Sequence, residues 1–191
     1  MPSRSSGPVL HRASAPRRSG FTMVELIVVL ILVGILSAIG AARFFNRSGY
    51  DASGFAEQLR TMVRYAQKLA VAQNRPVYVQ GALDGVALCY ESTVPCPAAS
   101  VVPAPSGDNS GSAATRKRCL VNSQYAQRWY CEGWPAGVTM TPVSGTLPVF
   151  FFDGLGRPIG VGGTFTGISV IIAGDGVSNQ ISVAQETGYV N

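Results

Sequence analysis

Gly20-Phe21-Thr22-Met23-Val24-Glu25 sets one carboxylate just inside an apolar run. From Leu26 to Ala42 no side chain carries a formal charge, so Glu25 stands where burial in lipid is costly without a partner. Ahead of it, Arg4, Arg12, Arg17 and Arg18 are unaccompanied by any acidic residue. A basic leader before an apolar span keeps the leader on the cytoplasmic side of a membrane. The span from Phe21 to Ala42 has the length of a bilayer crossing, whereas the core of an ordinary secretory signal is about 7 to 15 residues. Such a signal also has no use for a carboxylate at the start of its core. Ser37-Ala38 and Gly40-Ala41-Ala42 nevertheless imitate the small residues of its cleavage site.

This arrangement closely resembles the type III signal of type IV prepilins and pseudopilins. The resemblance implies a dedicated prepilin peptidase that cuts after the glycine and N-methylates the new amino terminus. The scissile bond is then Gly20-Phe21, the methylated residue is Phe21, and Glu25 is the carboxylate that meets a neighbouring subunit's terminal amine.

Removing residues 1 to 20 leaves 171 of the 191, enough for one anchor helix and one modest globular domain with its own core. All ten acidic residues fall in that mature part, but only eleven of the fifteen Lys and Arg residues do, a formal balance of about plus one. The basic character of the whole chain belongs mostly to the leader and is no argument for nucleic acid.

Past the apolar run, Phe55, Leu59, Met62, Val63, Ala66, Leu69 and Ala70 recur at three- and four-residue steps, with Glu57, Arg60, Arg64, Lys68 and Gln73 mostly between them. The spacing predicts an amphipathic helix, bounded here as residues 50–75, with one face for a domain core. Gly40, Gly49 and Gly54 interrupt the passage between the two helical stretches, and glycine costs a helix interior roughly 1 kcal/mol relative to alanine, so local unwinding is expected there. Arg75-Pro76 closes the helix, because proline disfavours helical backbone in the residue before it. Thereafter the pattern turns to strands: Pro76 to Gly81, Val86 to Tyr90, Val138 to Thr141, Leu147 to Asp153, Gly167 to Ala173 and Gln180 to Ala184. Asp84-Gly85 and Gly174-Asp175-Gly176 read as tight turns. The Pro/Ala/Ser/Gly-rich segment from Ser92 to Lys117 reads as an exposed loop.

Three features together narrow the resemblance: the amino-terminal signal, a helix ending in Arg64-Tyr65-Ala66-Gln67-Lys68-Leu69-Ala70-Val71-Ala72-Gln73-Asn74-Arg75-Pro76-Val77, and strands containing Phe152-Asp153-Gly154-Leu155-Gly156-Arg157-Pro158. They look like the GspH/FimT group of minor pilins and pseudopilins. The terminal Ile181-Ser182-Val183-Ala184-Gln185-Glu186-Thr187-Gly188-Tyr189-Val190 resembles the MshC-type minor pilin of mannose-sensitive haemagglutinin pili. The resemblance implies an α+β fold, a long amino-terminal helix, transmembrane then amphipathic, packed on a small antiparallel β-sandwich-like head. It partitions the chain into a removed leader (1–20), a transmembrane assembly helix (21–48) and a periplasmic head (49–191). Its implied partners are other major and minor pilins, the prepilin peptidase, the inner-membrane assembly platform and, before assembly, membrane lipid. Many pilins carry a proline near Ala42, and this chain does not.

Cys89, Cys96, Cys119 and Cys131 all fall in the exported part, where an oxidising periplasm lets disulfides persist. Four cysteines allow three pairings; Cys89 with Cys96 and Cys119 with Cys131 is favoured because each closes a short loop. No Cys-x-x-Cys occurs and the single histidine, His11, sits in the leader, so neither a metal site nor a cofactor is expected. No catalytic set is expected either, Asp153, Asp175 and Glu186 reading as turn or strand-end residues. Gly154-Leu155-Gly156-Arg157 lacks the helix that phosphate cradling requires and reads as a hairpin turn. The competing function is DNA capture: Arg116, Lys117 and Arg118 form a basic cluster near Arg128, and Trp129, Tyr130 and Trp134 could stack on single strands. Some FimT-type relatives carry Gly-Arg-x-Arg in a DNA-binding loop; here Gly156-Arg157-Pro158-Ile159 lacks the second arginine, leaving Arg157 alone.

Overall fold

The computed structural model describes residues 20–44, 47–143 and 149–191. The leader, with Arg4, His11, Arg12, Arg17 and Arg18, lies outside the described residues, as do Leu147 and Pro148 of the expected fourth strand. The described residues fall into two compact units, divided between residues 45 and 46.

In the first unit, helix α1 (Met23–Phe44) carries apolar side chains around its whole circumference, and those from Leu26 to Leu36 are exposed. A helix apolar all round is suited to lipid or to a protein interior rather than to water. Among the described residues no helix is long and apolar enough to cross a membrane; the described side chains of α1 end at Ser37, whereas the uncharged sequence runs on to Ala42.

The second unit opens with α2 (Ser48–Gln73) and continues with β1 (Val77–Ala82), β2 (Gly85–Cys89), a short 3-10 turn (Ala98–Ser100) and α3 (Ala113–Arg118). Then come β3 (Leu120–Val121), β4 (Gln124–Tyr125), β5 (Cys131–Gly133), β6 (Thr139–Pro142), β7 (Val149–Phe152), β8 (Pro158–Gly160), β9 (Ile168–Gly174) and β10 (Val177–Val183). All strand pairings are antiparallel: a five-stranded sheet β5-β2-β1-β7-β8, a three-stranded sheet β10-β9-β6 and the small hairpin β3-β4. This is the expected α+β arrangement, with α2 packed on an antiparallel, sandwich-like head.

One buried stripe of α2, made of Ala52, Phe55, Ala56, Leu59, Met62, Val63, Ala66 and Ala70, faces both larger sheets. Alternate residues answer it from the strands: Val77 and Val79, Phe150 and Phe152, Val170 and Ile172, Ile181 and Val183. Period 3.6 meets period 2 in one continuous core.

Asn74, in the left-handed conformation, ends α2 and returns its amide to the Val71 carbonyl at 3.3 Å, two residues before Pro76. The passage is divided as expected, α1 ending at Phe44 and α2 starting at Ser48, but the glycines themselves are helical, Gly40 in α1 and Gly49 and Gly54 in α2. At Gly49 the reason is contact, since an added Cβ would lie 3.0 Å from Val177 Cγ2 at the tip of the β9–β10 hairpin. That hairpin turns at Asp175 and Gly176, both at positive φ as a two-residue mirror turn requires.

The segment from Ser92 to Lys117 is not a plain exposed loop. It includes the 3-10 turn and α3, and it buries Cys96, Ser100, Val102, Ala104 and Thr115. Its order comes from polar bonds and disulfides, which leave no apolar periodicity to read.

Candidate functional site

Thr22 begins α1. Its Oγ1 accepts the Glu25 amide at 3.2 Å, and its carbonyl accepts the Leu26 amide at 3.2 Å. Glu25 therefore occupies the third helical position after a threonine cap, where a carboxylate also favours the positive end of the helix dipole. Gly20 and Phe21 precede the helix and are exposed.

The basic cluster is divided by its surroundings. Arg116 donates from Nε to the Gly111 carbonyl at 2.9 Å and stands 5.7 Å from the Tyr125 ring centroid. Arg118 is mostly covered, with Nε 2.9 Å from Asp84 Oδ1 in a close but poorly aligned ion pair. Lys117 stays exposed. Of the aromatic residues offered for stacking, Trp129 and Tyr130 are buried and Trp134 is half-buried. Trp129 is 1% exposed and donates from Nε1 to the Leu88 carbonyl at 2.8 Å. Tyr130 is buried edge-on against Tyr65; burial first, then the Glu132 carboxylate and Tyr65, push its pKa up to about 12. Trp134 packs edge-on against Phe55 at 4.8 Å. The core thus takes Trp129 and Tyr130 out of reach of a stacked base and leaves Trp134 half-buried.

Cys89 is bonded to Cys96 and Cys119 to Cys131, with Cα–Cα distances of 5.9 and 5.7 Å. Both bridges pack with Ala87 and Trp129 in a second, smaller core. Beside them Glu132, 2% exposed, accepts from the Ser110 amide at 2.8 Å, from the Thr115 hydroxyl at 2.8 Å and from the Ser110 hydroxyl. These donors satisfy a buried carboxylate without a cation.

The family-like stretches at the end of α2, at 152–158 and at the carboxy terminus meet in one place. Gln67 Nε2 donates to the carbonyls of Gly156 and Thr187, each at 2.9 Å. Arg64 reaches the Val190 carbonyl at 2.9 Å and Arg60 the Gln180 carbonyl at 3.0 Å. Gly188 has positive φ, and a Cβ there would lie 2.8 Å from both Gln67 Nε2 and Phe152 Cε1. Asp153 accepts the Leu155 and Arg157 amides at 2.9 and 2.8 Å and pairs with the Arg157 guanidinium at 2.8 Å. Burial alone would raise the Asp153 pKa, but those Arg157 and Leu155 bonds outweigh it and hold the carboxyl below its ordinary value. The expected hairpin turn is thus present, with Arg157 held by Asp153 rather than free. Sequence reasoning did not single out Gln67; its place seven residues after Arg60 and three after Arg64 was the available signal.

Residues 15–41 match the family model described as the prokaryotic N-terminal methylation motif. No curated protein matches the chain. Among solved structures the chain is similar to the type IV minor pilin FimU of Pseudomonas aeruginosa in two crystal forms. One has 19% identity over 74% of this chain and 87% of that chain, with a TM-score of 0.45. The other has 18% identity over 73% and 90%, with a TM-score of 0.43.

Proposed function

We propose that the chain is a minor pilin or pseudopilin subunit, a structural protein and not an enzyme. Prepilin peptidase removes residues 1–20 and methylates Phe21, and the mature chain then helps to initiate or assemble a type IV, MSHA-like pilus or a type II secretion pseudopilus, near its tip. The observation that carries this reading is the methylation motif over residues 15–41, with Glu25 in the first turn of an apolar helix.

In this reading α1 anchors the subunit in the bacterial inner membrane with the head in the periplasm. Its 22 residues rise about 33 Å at 1.5 Å each, close to the roughly 30 Å of a hydrocarbon core. On assembly the helix exchanges lipid for neighbouring pilin helices, where packing replaces the hydrophobic effect as the source of association. Glu25 exchanges an isolated carboxylate for a charge-assisted bond to a partner's terminal amine. The leader, the 21–48 helix and the 49–191 head divide these tasks, and the two disulfides suit an oxidising compartment.

Two variants test the reading. Gly20→Val places a branched side chain at the scissile position and leaves the full precursor in the inner membrane; normal mature mass in that variant would sink the assignment. Glu25→Ala keeps the glycine and the apolar run, so it is cut and inserted yet drops out of filaments or lowers their number. Unchanged piliation by Glu25→Ala would contradict the role given to the carboxylate.

A further inference from the structure

Helix α3 has no apolar face, yet it is clamped onto β5. A Cβ on Gly133 would lie 2.4 Å from the Ala114 carbonyl carbon, the Thr115 hydroxyl donates to the buried Glu132 at 2.8 Å, and the Cys119–Cys131 bridge follows at once. The β1–β2 turn is tied to the same place. Its Asp84 carbonyl accepts the Trp134 amide at 3.1 Å, and the Arg118 stem packs so closely on Gly85 that a Cβ there would lie 2.9 Å from Arg118 Cγ. Asp84, Ala114, Lys117, Arg118 and Trp134 line an open pocket of about 210 Å³ between these pieces.

The lining is chemically mixed. Arg116 spends its Nε on the Gly111 carbonyl, so two of the three cations of α3 remain, against one carboxylate. Arg118 Nε is buried 2.9 Å from Asp84 Oδ1 without an aligned hydrogen bond, while the Asp84 side chain is 64% exposed. The pair therefore cancels in charge but keeps donors and acceptors to spare. Lys117 is exposed and has no ion-pair partner among the described residues, which leaves its charge uncompensated. Trp134, held edge-on by Phe55, adds part of an apolar ring.

We propose that this pocket binds an acidic sugar, one uronic acid residue of a polysaccharide. Its carboxylate meets Lys117 in a charge-assisted bond, its hydroxyls are shared between Arg118 and Asp84, and its C–H face lies on Trp134. An acidic peptide would leave Asp84 and Trp134 idle. A nucleic acid strand needs a track of cations for its phosphates, and here it would meet one uncompensated cation and a carboxylate. The pocket is smaller than the roughly 300–1,000 Å³ that encloses a drug-sized ligand, so it takes one ring of a longer chain. The inference goes beyond the assembly reading and does not depend on it, since every residue named lies in the head.

The test uses the full chain in detergent, with trigalacturonic acid, neutral galactotriose and a single-stranded oligonucleotide as probes, followed by calorimetry and by acrylamide quenching of tryptophan emission. Trigalacturonic acid is expected to bind and to shield the emission; because Trp129 is 1% exposed, the shielding reports on Trp134. Galactotriose binds about tenfold more weakly, and Lys117→Gln removes that preference, the scale of one hydrogen bond to a charged group. Ala114→Leu fills the pocket and abolishes the shielding; should that variant fail to fold, Lys117→Gln, at an exposed side chain, decides alone. No binding of the acid, equal binding of acid and neutral sugar, binding indifferent to Lys117→Gln, or tighter Lys117-dependent binding of the oligonucleotide would overturn the proposal.

Discussion

The head holds two cores built by opposite means. In the larger, α2 and the inner faces of two sheets meet through Phe55, Leu59, Met62, Phe150, Phe152, Val170 and Ile172, with no covalent link among them. In the smaller, Ala87, two disulfides and Trp129 hold together a stretch with little regular structure. Periodic elements bury enough apolar area to order themselves. Irregular chain does not, and is fixed by cross-links and by polar bonds such as those on Glu132.

Phe152→Ala strikes the larger core where α2, β1 and β7 converge, and costs about 3 to 5 kcal/mol. Chemical denaturation of the full chain in detergent would show it as a lower midpoint for the whole head. A midpoint within about 1 kcal/mol of the parent would mean that this core is not the main source of stability.

Replacing Cys119 and Cys131 together by serine opens a link of sequence separation 12 and costs about 3 kcal/mol in the chain-entropy account. The loss is regional. Hydrogen exchange accelerates across residues 90–134 while the buried amides of α2 and β9 keep their protection. Uniform acceleration would erase the distinction between the cores.

Tyr130 joins the two regions, packing on Tyr65 of α2 from the end of the disulfide-bonded stretch. Its pKa is raised to about 12. The unfolded chain therefore releases the phenolic proton first, and stability falls as pH rises from about 10 toward 12, by on the order of 2 kcal/mol. Tyr130→Phe removes that share of the alkaline loss; an unchanged slope between parent and variant would show the hydroxyl is not held in its neutral form.

The smallest effect is at Asp153. Because its pKa is lowered in the fold, its contribution is present above the ordinary carboxylate value of about 3.9 and is lost as pH falls through the lower folded value. Asp153→Asn flattens that acid limb slightly and leaves stability at neutral pH within about 1 kcal/mol of the parent. A larger neutral-pH loss would make the turn a main support of the larger core.

Legibility followed the same division. The α2 stripe and six strand-forming runs were readable because burial imposes a period on them, and their ends were marked by Pro76, Asp84 and Gly176. The smaller core was not readable. The helix Ala113–Arg118 has no apolar face, and its start depends on Ser112 accepting the Thr115 amide and on Thr115 meeting Glu132, 17 residues away. The β3–β4 hairpin turns on Asn122 and Ser123, both at positive φ without a glycine. Trp129 and Tyr130 read as surface aromatics because Gln127, Arg128 and Glu132 flank them, but much of what buries them is distant in sequence: Cys89 and Cys96 beside Trp129, and Tyr65 against Tyr130. At the amino terminus the motif is legible from local pattern alone, since the basic leader, the glycine and the apolar run are contiguous within the matched residues 15–41; the roles proposed for Gly20, Phe21 and Glu25 rest on that pattern.

The central claim is that the chain matures as a pilin, and mass spectrometry of the amino-terminal peptide of protein isolated from membranes tests it most directly. The account predicts a chain beginning at Phe21 and carrying one methyl group on its amine. A chain beginning after the small residues between Ser37 and Ala42, or one that retains residues 1–20, would contradict it.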